Sequence, residues 1–158
     1  MAVKLTDDII TLLDRGDTVK TLATVDGDGV PHAVFKDAVY ADGDGRLVSL
    51  EVIESSRTNS NLVHSIWFKR KVTLSLLGND GTSYQIKGTP THCIVTGPVF
   101  ERHYRGIREK LGDVDLAAVW VIEPEEIRNQ TFRVRTEEEA AAHPLFLHLD
   151  RIAKKNGR

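Results

Sequence analysis

The sequence predicts a mainly β fold with flanking α-helices, its sheet antiparallel and closed into a small barrel. Three observations carry this expectation. Apolar and polar residues alternate in successive short runs, which is the period of strands with one buried face. The runs are separated by Asp26-Gly27-Asp28-Gly29, Asp42-Gly43-Asp44-Gly45 and Gly78-Asn79-Asp80-Gly81, turn chemistry that folds a strand back on its predecessor. Helical spacing is confined to a few stretches, so βαβ units are not expected. A sheet that must bury one face and protect its edges is best served by closing on itself.

The elements follow in order. Leu5, Ile9, Leu12 and Leu13 recur at helical spacing, with Thr6 as a candidate cap, Asp7 and Asp8 at the positive end of the dipole, and Gly16 as a stop. Thr18–Val25 is a strand with Val19, Ala23 and Val25 on one face. Val30–Tyr40 is its return, bent near Lys36-Asp37. In Arg46–Val52, the residues Val48, Leu50 and Val52 alternate with Leu47, Ser49 and Glu51. A short helix follows through about Trp67. Lys71–Leu77 alternates most cleanly, and strands at Thr82–Lys87 and Thr91–Val95 come next. Pro98, Phe100, Tyr104, Ile107, Leu111 and Gly112 define a middle helix. Leu116–Ile122 is apolar without alternation, a strand buried on both faces and ended by Glu123-Pro124. A last strand near Ile127–Val134 and a helix after Pro144 complete the reading.

At 158 residues the chain fits one domain, 1–158, with only the first few residues and the tail from about Lys154 expected to be loose. With charged residues at 28% and a net charge of -2, there is no basic face to neutralise phosphates, which argues against nucleic-acid binding. Lys69-Arg70-Lys71 reads as a solvated strand start. No apolar run is long enough to span a membrane and no leader pattern opens the chain, so a cytoplasmic protein is expected. The single cysteine, Cys93, lies in an apolar run and reads as a buried, inert thiol.

The segment with chemical content is Leu50–Asn61. A strand ends, Ser55-Ser56-Arg57-Thr58 follows, and a helix begins. Free N–H groups and the dipole at a helix start favour an anion. Arg57 can grip a phosphate with its donor fork, while Ser55, Ser56, Thr58 and Asn61 add neutral donors. The same residues also read as an ordinary loop, with a serine capping the helix and Arg57 solvated. Other constellations are poorer. His32, His64, His92, His103, His143 and His148 are scattered, and His92 and Cys93 would face opposite ways on a strand, so no metal site is expected. His143 and His148 read as capping or surface residues. No G-x-S-x-G setting or base nominates a serine nucleophile. The glutamates at 123–126 and 137–139 read as solvated, and Trp67 and Trp120 as core or dimer-contact residues.

In ordered placement the chain resembles the FMN-binding split-barrel family related to pyridoxamine 5'-phosphate oxidase. The likeness covers about Thr18 to Val95. It rests on Thr21-Leu22-Ala23-Thr24-Val25 with its turn and Gly29-Val30-Pro31, on Asp42-Gly43-Asp44-Gly45-Arg46-Leu47, and on Ser56-Arg57-Thr58 with Asn61-Leu62. The strand Val72–Leu76 and the return closing on Gly88 complete the order. The resemblance implies a six-stranded antiparallel split barrel and a homodimer with FMN at the subunit interface. By position, it places Phe35, Lys36, Asp37 and Ala38 along the isoalloxazine and Leu50 and Glu51 beside the ribityl chain. Ser55, Ser56, Arg57, Thr58 and Asn61 fall at the phosphate, and Ser83 or Gln85 supplies a side-chain donor. It further implies an FMN-dependent oxidoreductase served by a nicotinamide or another electron donor, with no residue marked as catalytic. A non-catalytic flavin module (carrier, store or sensor) is the alternative, as is a barrel holding haem or a deazaflavin. Two departures stand out. Thr58 occupies the place of a lysine common in the family, with Lys36 or Lys87 as possible substitutes. The tail His143–Asp150 does not resemble the oxidase's substrate-binding end, which argues against that particular activity.

Overall fold

A computed structural model describes residues 1–145 of the chain. In chain order the elements are α1 (Asp7–Asp14), β1 (Val19–Val25), β2 (Pro31–Phe35), β3 (Val39–Ala41), β4 (Leu47–Glu51), α2 (Arg57–Phe68), β5 (Val72–Leu77), β6 (Ser83–Ile94), α3 (Pro98–Leu111), β7 (Ala118–Asn129) and α4 (Phe132–Ala142). The strands form one antiparallel sheet in the order β2-β1-β5-β6-β7-β4-β3. Among the described residues there are seven strands rather than six, because the bend expected near Lys36-Asp37 splits one long strand into β2 and β3.

That split forces the sheet to curl. β2 and β3 are its two edges, yet only residues 36–38 join them. Laid flat, seven strands at ~4.8 Å spacing would hold the edges about 29 Å apart. Four Cα steps reach at most about 14 Å. The linking segment bonds to both sides of the seam: the Lys36 N–H donates to the Lys20 carbonyl on β1 at 2.9 Å, and the Leu50 N–H on β4 donates to the Ala38 carbonyl at 3.0 Å.

The interior of the curl holds Leu22, Val39, Leu47, Val72, Leu74, Leu76, Ile86, Trp120 and Ile122, covered by Ile9, Leu12 and Leu13 of α1 and Leu62 of α2. A second cluster, Val48, Leu50, Val119 and Leu116 with Ile107 of α3, lies on the other face of β4 and β7. Having apolar partners on both sides, β4 is buried along its whole length. On β1 the residues Val19, Ala23 and Val25 share a face as expected, but it points outward; Lys20, Leu22 and Thr24 are the buried set.

The first two turns repeat one device. The Asp26 carboxylate accepts from the Asp28 and Val30 N–H groups, each at 2.9 Å, and Asp42 does the same for Asp44 at 3.0 Å and Arg46 at 2.9 Å. Gly29 and Gly45 close the turns at φ 82° and 78°, a region that favours glycine. The bond from Val30 foremost, then that from Asp28 and the charges of Arg57 and Arg70, holds the Asp26 carboxyl below its ordinary value of 3.8. A depressed folded pKa gives stability that is complete above the unfolded value and lost as pH falls through the folded one. The thermal midpoint is therefore expected to drop on acidification below that range, and Asp26→Asn should drop less. Equal acid sensitivity in a calorimetric pH series would contradict the turn's role.

Several expectations are corrected. The strands read at Thr82–Lys87 and Thr91–Val95 are one, β6, and β7 runs through Glu123-Pro124 to Asn129 instead of ending there. The pair accommodates these residues by register shifts at Lys87/Gly88 and Pro90/His92, as bulges allow. Phe132–Val134, read as strand, begins α4. The Thr6 hydroxyl makes no cap bond and instead meets the Asp8 carboxylate. Cys93 is exposed, and Trp67, 78% exposed, is not core. The helix read after Pro144, His148 and the loose tail lie outside the described residues.

Gly88 is where β6 and β7 come closest. A Cβ there would overlap the Glu123 carbonyl oxygen and stand 3.0 Å from both the Glu123 carbonyl carbon and Ile122 Cγ2. Backbone cannot yield as a flexible side chain can, so Gly88→Ala is expected to destabilise by about 1–3 kcal/mol or more. An unchanged denaturation midpoint would show that the strands separate at no cost.

Candidate functional site

The site is built where β4 stops and α2 starts. Glu51, the last residue of β4, is 1% exposed. Its carboxylate takes the Lys36 ammonium on one oxygen and the Ser56 hydroxyl, at 3.1 Å, on the other. A buried carboxylate so close to a helix start requires compensation, and Lys36 supplies it from across the seam. Ser56 is the N-cap of α2: its Oγ accepts from the Asn59 N–H at 3.0 Å while donating to Glu51. The capping reading of this segment is thus correct for Ser56.

The first turn of α2 is anchored at three further points. Asn59 Nδ2 donates to the Glu54 carbonyl at 2.9 Å, and its Oδ1 accepts from Trp120 Nε1 at 2.8 Å. Asn61 Nδ2 donates to Thr24 Oγ1 on β1 at 3.0 Å. Asn61 and Thr58 are turned into the protein, at 3% and 2% exposure. What remains on the outside is Ser55, Arg57 and the helix start itself. Among the described residues Arg57 is exposed and forms no hydrogen bond or ion pair, and the N–H groups of Arg57 and Thr58 have no partner. The nearest influence of the Arg57 charge is on Asp26, through space. A fixed helix start, two free donors and an unpaired guanidinium together have the chemistry to hold an anion.

Next to it, the seam offers backbone groups. The Lys36 N–H and the Ala38 carbonyl bond to the two edges of the curl, and the Asp37 carbonyl accepts from Val39 at 3.0 Å and from Lys20 Nζ at 3.2 Å. The Asp37 and Ala38 N–H groups are without partners among the described residues. The structure therefore brings together Lys36, Asp37, Ala38, Leu50, Glu51, Ser55, Ser56, Arg57 and Thr58, with Phe35 at the end of β2 beside them. Leu50 is buried under α3.

Ser83 and Gln85 are not part of this group within one protomer. Both sit on β6, where Gln85 pairs with Ser75 and Ser83 with Leu77. Directly paired residues share a face, so Phe35, Thr21, Ser75 and Gln85 form one outward row across β2, β1, β5 and β6. Neither lysine offered as a substitute for the charge missing at Thr58 is unpaired: Lys36 holds Glu51, and Lys87 holds Glu126 at 3.2 Å. Sequence reasoning missed the Trp120–Asn59 bond and the burial of Lys20. No local pattern signals either, because both depend on elements distant in the chain.

No family model matches the chain, and no curated protein matches it in sequence. Solved structures do match in shape. HupZ from Group A Streptococcus superposes with a TM-score of 0.67 at 20% identity, over 81% of this chain and 95% of that one. An FMN-binding protein from Syntrophomonas wolfei gives 0.64 at 16% identity, over 78% and 84%. A pyridoxamine 5'-phosphate oxidase-like protein from Listeria innocua gives 0.61 at 22% identity, over 79% and 97%. An F420 reductase (TM-score 0.58, 17% identity, over 78% and 98%) and HutZ, the heme storage protein of Vibrio cholerae (0.57, 14% identity, over 80% and 95%), share the fold as well. At these identities the likeness establishes the fold, the split barrel of the pyridoxamine-phosphate-oxidase-like proteins.

Proposed function

With the split barrel as the premise, we propose that this chain is an FMN-binding flavoprotein, a homodimeric oxidoreductase acting on a small substrate. The observation that carries the reading is the unpaired Arg57 beside two free helix N–H groups, on a fold shared with an FMN-binding protein. The donor set suits a phosphate monoester. Arg57 gives a bidentate grip, the Arg57 and Thr58 N–H groups and Ser55 add neutral donors, and Lys36 cancels the Glu51 charge that would repel the anion. The free Asp37 and Ala38 N–H groups lie in the seam and suit the acceptor atoms of a flavin ring.

When bound, the flavin supplies hydride or electron transfer. The chain's own residues bind the phosphate, orient the ring against the seam backbone and limit the approach of water. The Lys36–Glu51–Ser56 chain acts as positioning machinery, because it fixes α2 against the seam. A nicotinamide is the electron donor to test first. Rapid bleaching of the reconstituted protein by NADH or NADPH supports an enzyme, while inertness toward both favours a carrier, store or sensor.

The outward row Phe35, Thr21, Ser75 and Gln85 is uncharged, and Phe35 is 80% exposed. An exposed aromatic in an uncharged stretch of the sheet face, bounded on β7 by Arg128 beside Gln85, suits a second copy of the chain, which would also bring Ser83 and Gln85 to the cofactor. Phe35→Glu is expected to shift the protein to monomer in sedimentation. A variant dimer as tight as the wild type would place the interface elsewhere.

The reading is tested by the visible spectrum of the purified protein, before and after addition of FMN and gel filtration. A retained flavin spectrum supports it. A haem spectrum, or retention of a deazaflavin in preference to FMN, would replace it with the ligand class of the HutZ-like or F420 reductase-like relatives.

A further inference from the structure

One buried side chain holds the whole link between β2 and β3. Lys20 on β1 is 8% exposed. Its carbonyl accepts from the Lys36 N–H at 2.9 Å. Its ammonium donates to the carbonyls of Asp37 at 3.2 Å and Val39 at 3.0 Å, one on either side of Ala38. Lys20 forms no ion pair among the described residues. Burial makes it a weaker base than usual, while the charges of Asp14 and Asp37 act in the opposite sense. Both of those residues are exposed, so water and salt screen their carboxylates, whereas the ammonium touches the seam backbone directly.

The Asp37 carbonyl and the Ala38 N–H are the two ends of one peptide unit. In a trans unit they point in opposite directions, and the described chain has no cis bond. The carbonyl is turned onto Lys20, so the Ala38 N–H is turned away from it, and it has no partner among the described residues. A cation on the carbonyl polarises the unit and strengthens its N–H as a donor, since linked hydrogen bonds reinforce one another. Holding two carbonyls does not by itself call for a charge. A neutral donor would serve, and burying an ammonium without an ion partner is costly.

We propose, resting on the flavin reading, that Lys20 is a positioning residue that acts through the Asp37–Ala38 peptide to stabilise negative charge on a ring bound at the seam. A hydride from a donor of the nicotinamide class brings two electrons and one proton to a neutral oxidised ring. One negative charge then remains on the ring. A polarised N–H bonds the charged form more strongly than the neutral one. Lys20 therefore favours reduced over oxidised flavin and raises the potential of the couple.

The test measures FMN affinity and the two-electron reduction potential of the bound FMN in the wild type, Lys20→Gln and Lys20→Met. Glutamine keeps a donor for the carbonyls and loses only the charge; methionine loses both. In each variant the affinity for reduced FMN should fall about tenfold relative to that for oxidised FMN, which lowers the potential by about 30 mV. A purely structural clamp would weaken both forms alike and leave the potential where it was. Should neither variant fold, the wild type decides: the Ala38 amide proton should move downfield in ¹H–¹⁵N spectra when FMN binds, and further when it is reduced. FMN bound to Lys20→Gln at the wild-type potential would overturn the proposal alone, as would an Ala38 signal that ignores reduction. Absence of FMN binding to the wild type would overturn the flavin reading and this proposal with it.

Discussion

Arg57→Ala is expected to weaken FMN binding by about 2–5 kcal/mol, the cost of removing one member of a charge-assisted pair to a desolvated anion. That corresponds to roughly a 30- to 4,000-fold rise in Kd. The variant should fold normally, because Arg57 is exposed and forms no hydrogen bond or ion pair among the described residues. The effect would therefore be read directly from a fluorescence titration, without a stability correction. Arg57→Lys keeps a charge but loses the planar fork, so an intermediate loss is expected. Wild-type affinity in Arg57→Ala would mean that the phosphate sits elsewhere.

Glu51→Ala should have the largest effect on stability at the site. Glu51 is almost wholly buried and Lys36 is 16% exposed at its side chain, so removing the carboxylate leaves an uncompensated ammonium and an unpaired Ser56 hydroxyl. Breaking a buried pair in this way costs about 3–5 kcal/mol. The double variant Lys36→Met, Glu51→Leu removes both charges and should lose less than Glu51→Ala alone, since an apolar pair of similar volume needs no solvation. Urea denaturation reads both. A loss below about 1 kcal/mol in Glu51→Ala, the range of an exposed pair, would show that water reaches Lys36 freely.

The fold class was legible because its determinants are local. The repeated Asp-Gly turns and the alternation in Val72–Leu77 are each set by a handful of neighbours, and they appear where expected. The strand count was not legible. Whether Val30–Tyr40 is one strand or two depends on the Lys36 and Ala38 bonds to β1 and β4, partners separated in the chain by more than ten residues. The same reason explains the gap read between Lys87 and Thr91, and Pro124, which read as a strand end; both lie at or beside shifts in the β6–β7 register.

Within the site, Ser56 and Arg57 behave as the pattern of a strand end followed by a helix start suggests, one capping and one free. Thr58 and Asn61 looked like equal donors, yet helical geometry turns both inward, and Asn61 is spent on Thr24. Glu51 was placed by resemblance, with no sign that its partner would be Lys36, because the ion pair exists only once the sheet has curled. Lys20 was invisible for the same reason. Its alternating position gave a face but not which face the curl would bury.

The most direct measurement for the central claim is a paired titration of the apo protein with FMN and with riboflavin, which differ only in the phosphate. If the α2 start is the phosphate site, FMN should bind tighter by two orders of magnitude or so, as charge-assisted bonds to a shielded phosphate imply. Equal affinity for the two flavins, or binding of neither, would contradict it.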